Sequence, residues 1–70
     1  MNSKQILTDS INDLTVIDKL IDRNRIEDAK VQLAGLFGYA GTVKGGDTEI
    51  RSMMDTFQAE FSKRYVTLYS

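Results

Sequence analysis

Seventy residues with nine basic and ten acidic side chains, a net charge of −1, and no cysteine, histidine or proline exclude several classes of protein at once. Disulfides, thiolate chemistry and the usual zinc sites need cysteine or histidine, and the near-cancelling charge gives no net field toward nucleic acid or anionic lipid. A chain of this size buries about 60% of the surface it exposes when unfolded, so its core is marginal and self-association is the expected supplement.

Leu7, Ile11, Leu14, Ile17 and Ile21 recur at spacings of three and four, which predicts a helix over 3–23 with a single apolar stripe. Ser3 is its expected N-cap. Thr15 and Asp18 have the form of a capping box, so a break near Asn12–Asp13 competes with one continuous helix; the stripe favours continuity. Asn24 followed by Glu27 is a further capping box and predicts a second helix over 25–37, with Ile26, Ala29, Leu33, Leu36 and Phe37 on one face and Gly38 as the left-handed residue that ends it. Gly35 inside that run costs about 1 kcal/mol relative to alanine. It therefore either admits another backbone or weakens the last turn.

The connection 38–47 lies within the stretch GYAGTVKGGDTEI, Gly38 to Ile50, which holds four of the five glycines. A phosphate loop would need a strand leading in and a lysine after the glycines. Lys44 precedes Gly45 and Gly46, and Asp47 puts a carboxylate where an anion would sit, so the stretch reads as a corner that delivers Asp47 as the N-cap of a third helix. That helix spans 48–69: Ile50, Met53, Met54, Phe57, Phe61, Tyr65 and Leu68 repeat at three and four, with Lys63 and Arg64 near the C-terminal end where cations are favoured. The sum is an all-α protein of three amphipathic helices, either a small up-down-up bundle or a helical hairpin whose third helix is completed by oligomerisation.

Catalysis is not expected. The common general bases and thiol nucleophiles are missing, and Ser10 falls on the buried stripe as a small polar residue tolerated between turns. Asp9 and Asp13, and likewise Asp18 and Asp22, stand one turn apart, yet solvated carboxylates are the commoner outcome of such spacing. Neither a metal nor a cofactor is expected. Asp18 falls inside the apolar stripe of the first helix and Arg64 inside that of the third, at the same end of the bundle, which predicts an Asp18–Arg64 ion pair, within or between chains.

Two kinds of partner surface compete. Arg23, Arg25, Lys30, Lys63 and Arg64 gather at one pole with Tyr65 and Tyr69, the ingredients of a nucleic-acid or nucleotide site, but Asp22, Glu27, Asp28 and Glu60 crowd the same pole. A small anion held by Lys44, Arg51 and the glycine-rich backbone is a related reading. Surplus apolar surface is the stronger signal: Val16 and Leu20 lie one turn apart outside the main stripe, extended by Ile6, and Met53 and Met54 add an adaptable contact. The expected partners are a further copy of the chain, as a dimer or higher oligomer, and another protein. Small proteins of this kind, including those of phages and mobile elements, serve as inhibitors, adaptors or accessory factors. No segment reaches the roughly 18 apolar residues of a membrane span, and the N-terminus lacks the apolar core of a signal peptide, so a soluble cytoplasmic protein is expected.

Overall fold

Three helices, α1 (Ser3–Asp22), α2 (Ile26–Ala40) and α3 (Thr48–Tyr69), make up nearly all of the described residues, 2–70, of a computed structural model. α1 is continuous through Asn12–Asp13, because Leu7, Ser10, Leu14 and Ile17 are all buried on one side of it and a break would expose them. The Thr15 hydroxyl donates back to the Asn12 carbonyl at 2.7 Å, within the helix, instead of capping a new one. Its N-cap is Asn2, not Ser3: the Asn2 side-chain oxygen accepts the Gln5 N–H at 2.7 Å from an extended backbone.

The capping box expected at Asn24 and Glu27 does not form. Asn24 takes the left-handed conformation with φ 59°. Its N–H donates to the Ile21 carbonyl at 2.9 Å, and the Arg25 N–H donates to the Leu20 carbonyl at 2.8 Å. These are the two bonds of a Schellman motif, so Asn24 closes α1 where it was expected to open α2. Arg25 is the N-cap of α2 without a side-chain cap bond, and Glu27 and Asp28 in the first turn supply the negative charge that the helix dipole favours there.

α2 passes through Gly38 and ends at Ala40, three residues beyond the expected Phe37, with Gly41 as its C-cap in a right-handed conformation. Continuing one more turn buries Ala40 and carries the chain to Val43, which is also buried. Gly35 admits no backbone from within the chain, since a Cβ built there meets nothing within 4 Å. The remaining connection, 41–47, turns on Gly45 (φ 48°) and Gly46 (φ 141°), and Asp47 accepts the Ile50 N–H at 3.0 Å as the N-cap of α3. At Gly46 a Cβ would lie 2.7 Å from the Ile50 Cβ in a backbone region that only glycine adopts readily. Gly46→Ala should therefore cost about 1–3 kcal/mol in chemical denaturation, whereas Gly45→Asn should be tolerated.

Lys4 pairs with Glu49 at 2.8 Å where α1 and α3 begin, and Asp18 meets Arg64 toward their other ends, so α1 and α3 run parallel with α2 antiparallel to both. The core of Leu14, Ile17, Ala29, Leu33, Leu36, Ala40, Phe57 and Leu68 draws on all three helices. α1 lies against both neighbours, while α2 and α3 touch each other far less. A groove therefore stays open between α2 and α3. No helix among the described residues is long and apolar enough to cross a membrane.

Candidate functional site

The α2–α3 groove is lined with rings. Along α3, Phe57, Phe61, Tyr65 and Tyr69 follow one another at four-residue intervals, with ring centroids 5.7, 6.4 and 4.6 Å apart. Phe37 of α2 joins them across the groove, 5.4 Å from Phe61. Four residues turn a helix through about 400°, so each step of the ladder moves about 40° around the helix. The effect on burial is direct: Phe57 is buried, Phe61 half-buried, and Tyr65 and Tyr69 are 51% and 52% exposed. Tertiary packing thus covers the start of the ladder and leaves its end to solvent.

Two cavities lie along this groove and share Phe37 in their walls. One, of about 290 Å³, is lined by Lys30, Leu33, Ala34, Phe37, Phe61, Tyr65 and Tyr69. The other, of about 170 Å³, is bounded by Leu7, Ala40, Val43, Met54 and Phe57 with Phe37 itself. Among the described residues the only formal charge in either wall is Lys30, whose ammonium sits 4.9 Å from the centroid of the Tyr69 ring and 3.6 Å from Glu27.

The residues expected to form one partner seam are separated. Leu20 is turned inward and packs against the core, and Val16, 46% exposed, instead lines a groove between α1 and α2 with Asp13, Val31, Gly35 and Tyr39. Met54 belongs to the α2–α3 groove, while Met53 and Ile6 are half-buried and line neither. Val16 and Leu20 are one turn apart on α1 but do not share a surface. Val16 faces α2 across that groove, whereas Leu20 packs against the three-helix core.

At the basic pole, most cations already have partners. Arg25 donates to Asp28 at 2.7 Å, and Lys63 pairs with Glu60 at 2.8 Å. Arg64 donates through Nε and Nη2 to the two Asp18 carboxylate oxygens, at 3.1 and 2.8 Å, and through Nη1 to the carbonyl and carboxylate of Glu60, both at 2.9 Å. Asp18 strengthens the hold of Arg64 on its proton, and hydrogen bonds from Lys63 and then Arg64 keep the Glu60 carboxyl below its usual value of 4.5. Arg23, Lys44 and Arg51 are exposed and enter no ion pair among the described residues. Asp47 already occupies the N-terminus of α3, so the loop of Lys44 and Arg51 offers an anion a carboxylate rather than free N–H groups.

Ser10 is fully buried, and its hydroxyl donates to the Ile6 carbonyl at 2.7 Å, so it is satisfied within its own helix. Among the described residues no group of three or more acidic side chains could hold a metal ion. No family model, curated protein or solved structure matches this chain closely enough to show kinship. Site chemistry and geometry are therefore the grounds for a functional reading. By periodicity alone Phe37, Phe57, Phe61 and Tyr65 fall on apolar stripes and Tyr69 at the basic pole; the signal that finds the groove is the strict four-residue spacing of the rings, which a core stripe does not keep.

Proposed function

We propose that the protein is a non-catalytic binding protein, an inhibitor, adaptor or accessory factor, that docks onto protein surface through the aromatic groove between α2 and α3. The observation that carries this reading is the juxtaposition of Phe37, Tyr65 and Tyr69, each more than half exposed, along one nearly uncharged groove. Aromatic residues are enriched, and charges depleted, at the centres of protein interfaces, and a contiguous exposed apolar patch marks an interaction site more reliably than scattered apolar residues do. The α1–α2 groove, a cavity of about 510 Å³ lined by Val16 and Val31 but without the row of exposed rings, offers a second contact.

The competing reading is a nucleic-acid or nucleotide site, favoured by the stacked Tyr65–Tyr69 pair beneath Lys30. It is the weaker one, because Glu27, Asp28 and Glu60 already neutralise Lys30, Arg25 and Lys63. A photoreactive amino acid at position 65, in the cells that make the protein, tests both. Light-dependent adducts with protein are expected from position 65 and not from position 8 on the outer side of α1. Adducts with nucleic acid alone, or equal yields from both positions, would remove the protein-docking reading.

A further inference from the structure

We propose that the α2–α3 groove is occupied by the same face of a second copy of this chain, giving a twofold dimer in which α2 packs against its counterpart. The inference rests on the protein-docking reading and names the partner. A twofold interface must be self-complementary, every feature meeting its own complement on the same surface. This groove has that property: Phe37 projects from it with 63% of its surface exposed, and a cavity lies on each side, one toward Tyr69 and one toward Met54. A knob flanked by two hollows fits a copy of itself turned about an axis perpendicular to α2. A single partner helix laid along the groove would instead meet the Phe37 ring in its path.

Two independent features point to the same occupant. Ala34 and Gly38 are exposed one turn apart on α2, and a Cβ at Gly38 would meet nothing within 4 Å, so the fold of one chain gives no reason for glycine there. A helical glycine nonetheless costs about 1 kcal/mol. Close approach of a second α2 supplies the missing reason, since the absence of a side chain lets backbones come together. Charge is also arranged for it. The helical repeat places Glu27 and Lys30 toward one end of the groove and Arg51 and Asp55 toward the other, one charge of each sign at both ends. The twofold turn brings Lys30 toward Asp55 of the second copy and Glu27 toward its Arg51, so no like charges need face each other. The α1–α2 groove of Val16 and Val31 then stays outside, presented twice.

Sedimentation equilibrium of the purified chain over a concentration series is expected to give the mass of two 7.9 kDa chains. Phe37→Asp should sediment as a single chain. Gly38→Gln, which improves helix propensity at an exposed position whose Cβ would meet nothing within 4 Å, should keep its helical circular dichroism while weakening the dimer about tenfold or more. It also keeps the test alive should Phe37→Asp fail to fold. A wild-type chain that stays single at every concentration overturns the dimer, as does a Gly38→Gln variant that dimerises as the wild type does. In the first case, light-dependent adducts with other proteins from position 65 would leave the docking reading standing. A single wild-type chain that binds a single-stranded oligonucleotide, with affinity falling steeply with salt and lost on Tyr65→Ala, would remove both.

Discussion

Leu14→Ala should remove close to half of the stability of this protein. Leu14 is 1% exposed and lies in the central helix within the core cluster that also holds Ile17, Ala29, Leu33 and Phe57. Truncating such a leucine costs about 2–5 kcal/mol, the lost burial plus the cavity left behind. A folded chain is stable by roughly 0.05–0.15 kcal/mol per residue, which for this length is about 4–10 kcal/mol. Thermal unfolding followed by circular dichroism should therefore shift down by about 10 °C or more. Val31→Ala, at a position 70% exposed, should change stability by less than about 0.5 kcal/mol. Equal melting of the two variants would mean that the core lies elsewhere. If the chain dimerises, the loss is partly masked at high protein concentration, because association stabilises the folded state by mass action.

The sequence made the number and type of helices legible because each apolar stripe is long, and a helix with one greasy side has few other ways to bury it. Asp47 was legible for a different reason: a carboxylate just before a periodic run, preceded by two glycines, has one geometry that satisfies the first turn of α3. Boundaries were less legible where one residue type serves two ends. Asn24 is as suited to the left-handed position after a helix as to the cap before one, and only the packing of Leu20 and Ile21 against the core, which holds the last turn of α1 in place, decided it. Gly38 reads as a terminator by propensity alone. Burial of Ala40 and Val43 outweighs that propensity, which is worth about 1 kcal/mol.

The candidate groove was illegible for a geometric reason. Phe57, Phe61, Tyr65 and Tyr69 satisfy the rule that residues four apart share a face, and over one step the rule is sound. Over three steps the drift reaches about 120°, enough to carry the ladder from the core to open solvent. Whether that drift matters depends on how far α2 extends and how close it comes to α3, and both are tertiary facts. The α1 flank misled for the converse reason: Leu20 lies off the main stripe but beneath a neighbour that covers it. A surplus apolar residue on one helix becomes a partner surface only if no other element of the same chain reaches it.

Asp18→Leu should destabilise the protein by about 1.5–3 kcal/mol, while Asp18→Leu combined with Arg64→Leu should recover most of the loss. The Arg64 side chain is only 15% exposed and gives two of its hydrogen bonds to Asp18. Without Asp18 it keeps Glu60, whose carboxylate also serves Lys63, and the rest of the guanidinium is left facing a leucine. Removing Arg64 alone is the milder change: Asp18 is 47% exposed and Glu60 35%, so water can replace the lost donors. The asymmetry follows from burial, since the enclosed partner of an ion pair suffers most when the other is deleted. Urea denaturation of the four proteins in the cycle gives the coupling directly. Additive losses would mean that the pair contributes nothing as a pair. Acid should weaken the same cluster, because Glu60 holds its proton less tightly when folded: the stability it adds is present above the carboxyl value of the unfolded chain and is lost as pH falls through the lower folded value. Glu60→Gln should flatten that part of the pH profile and leave the Asp18–Arg64 coupling in place.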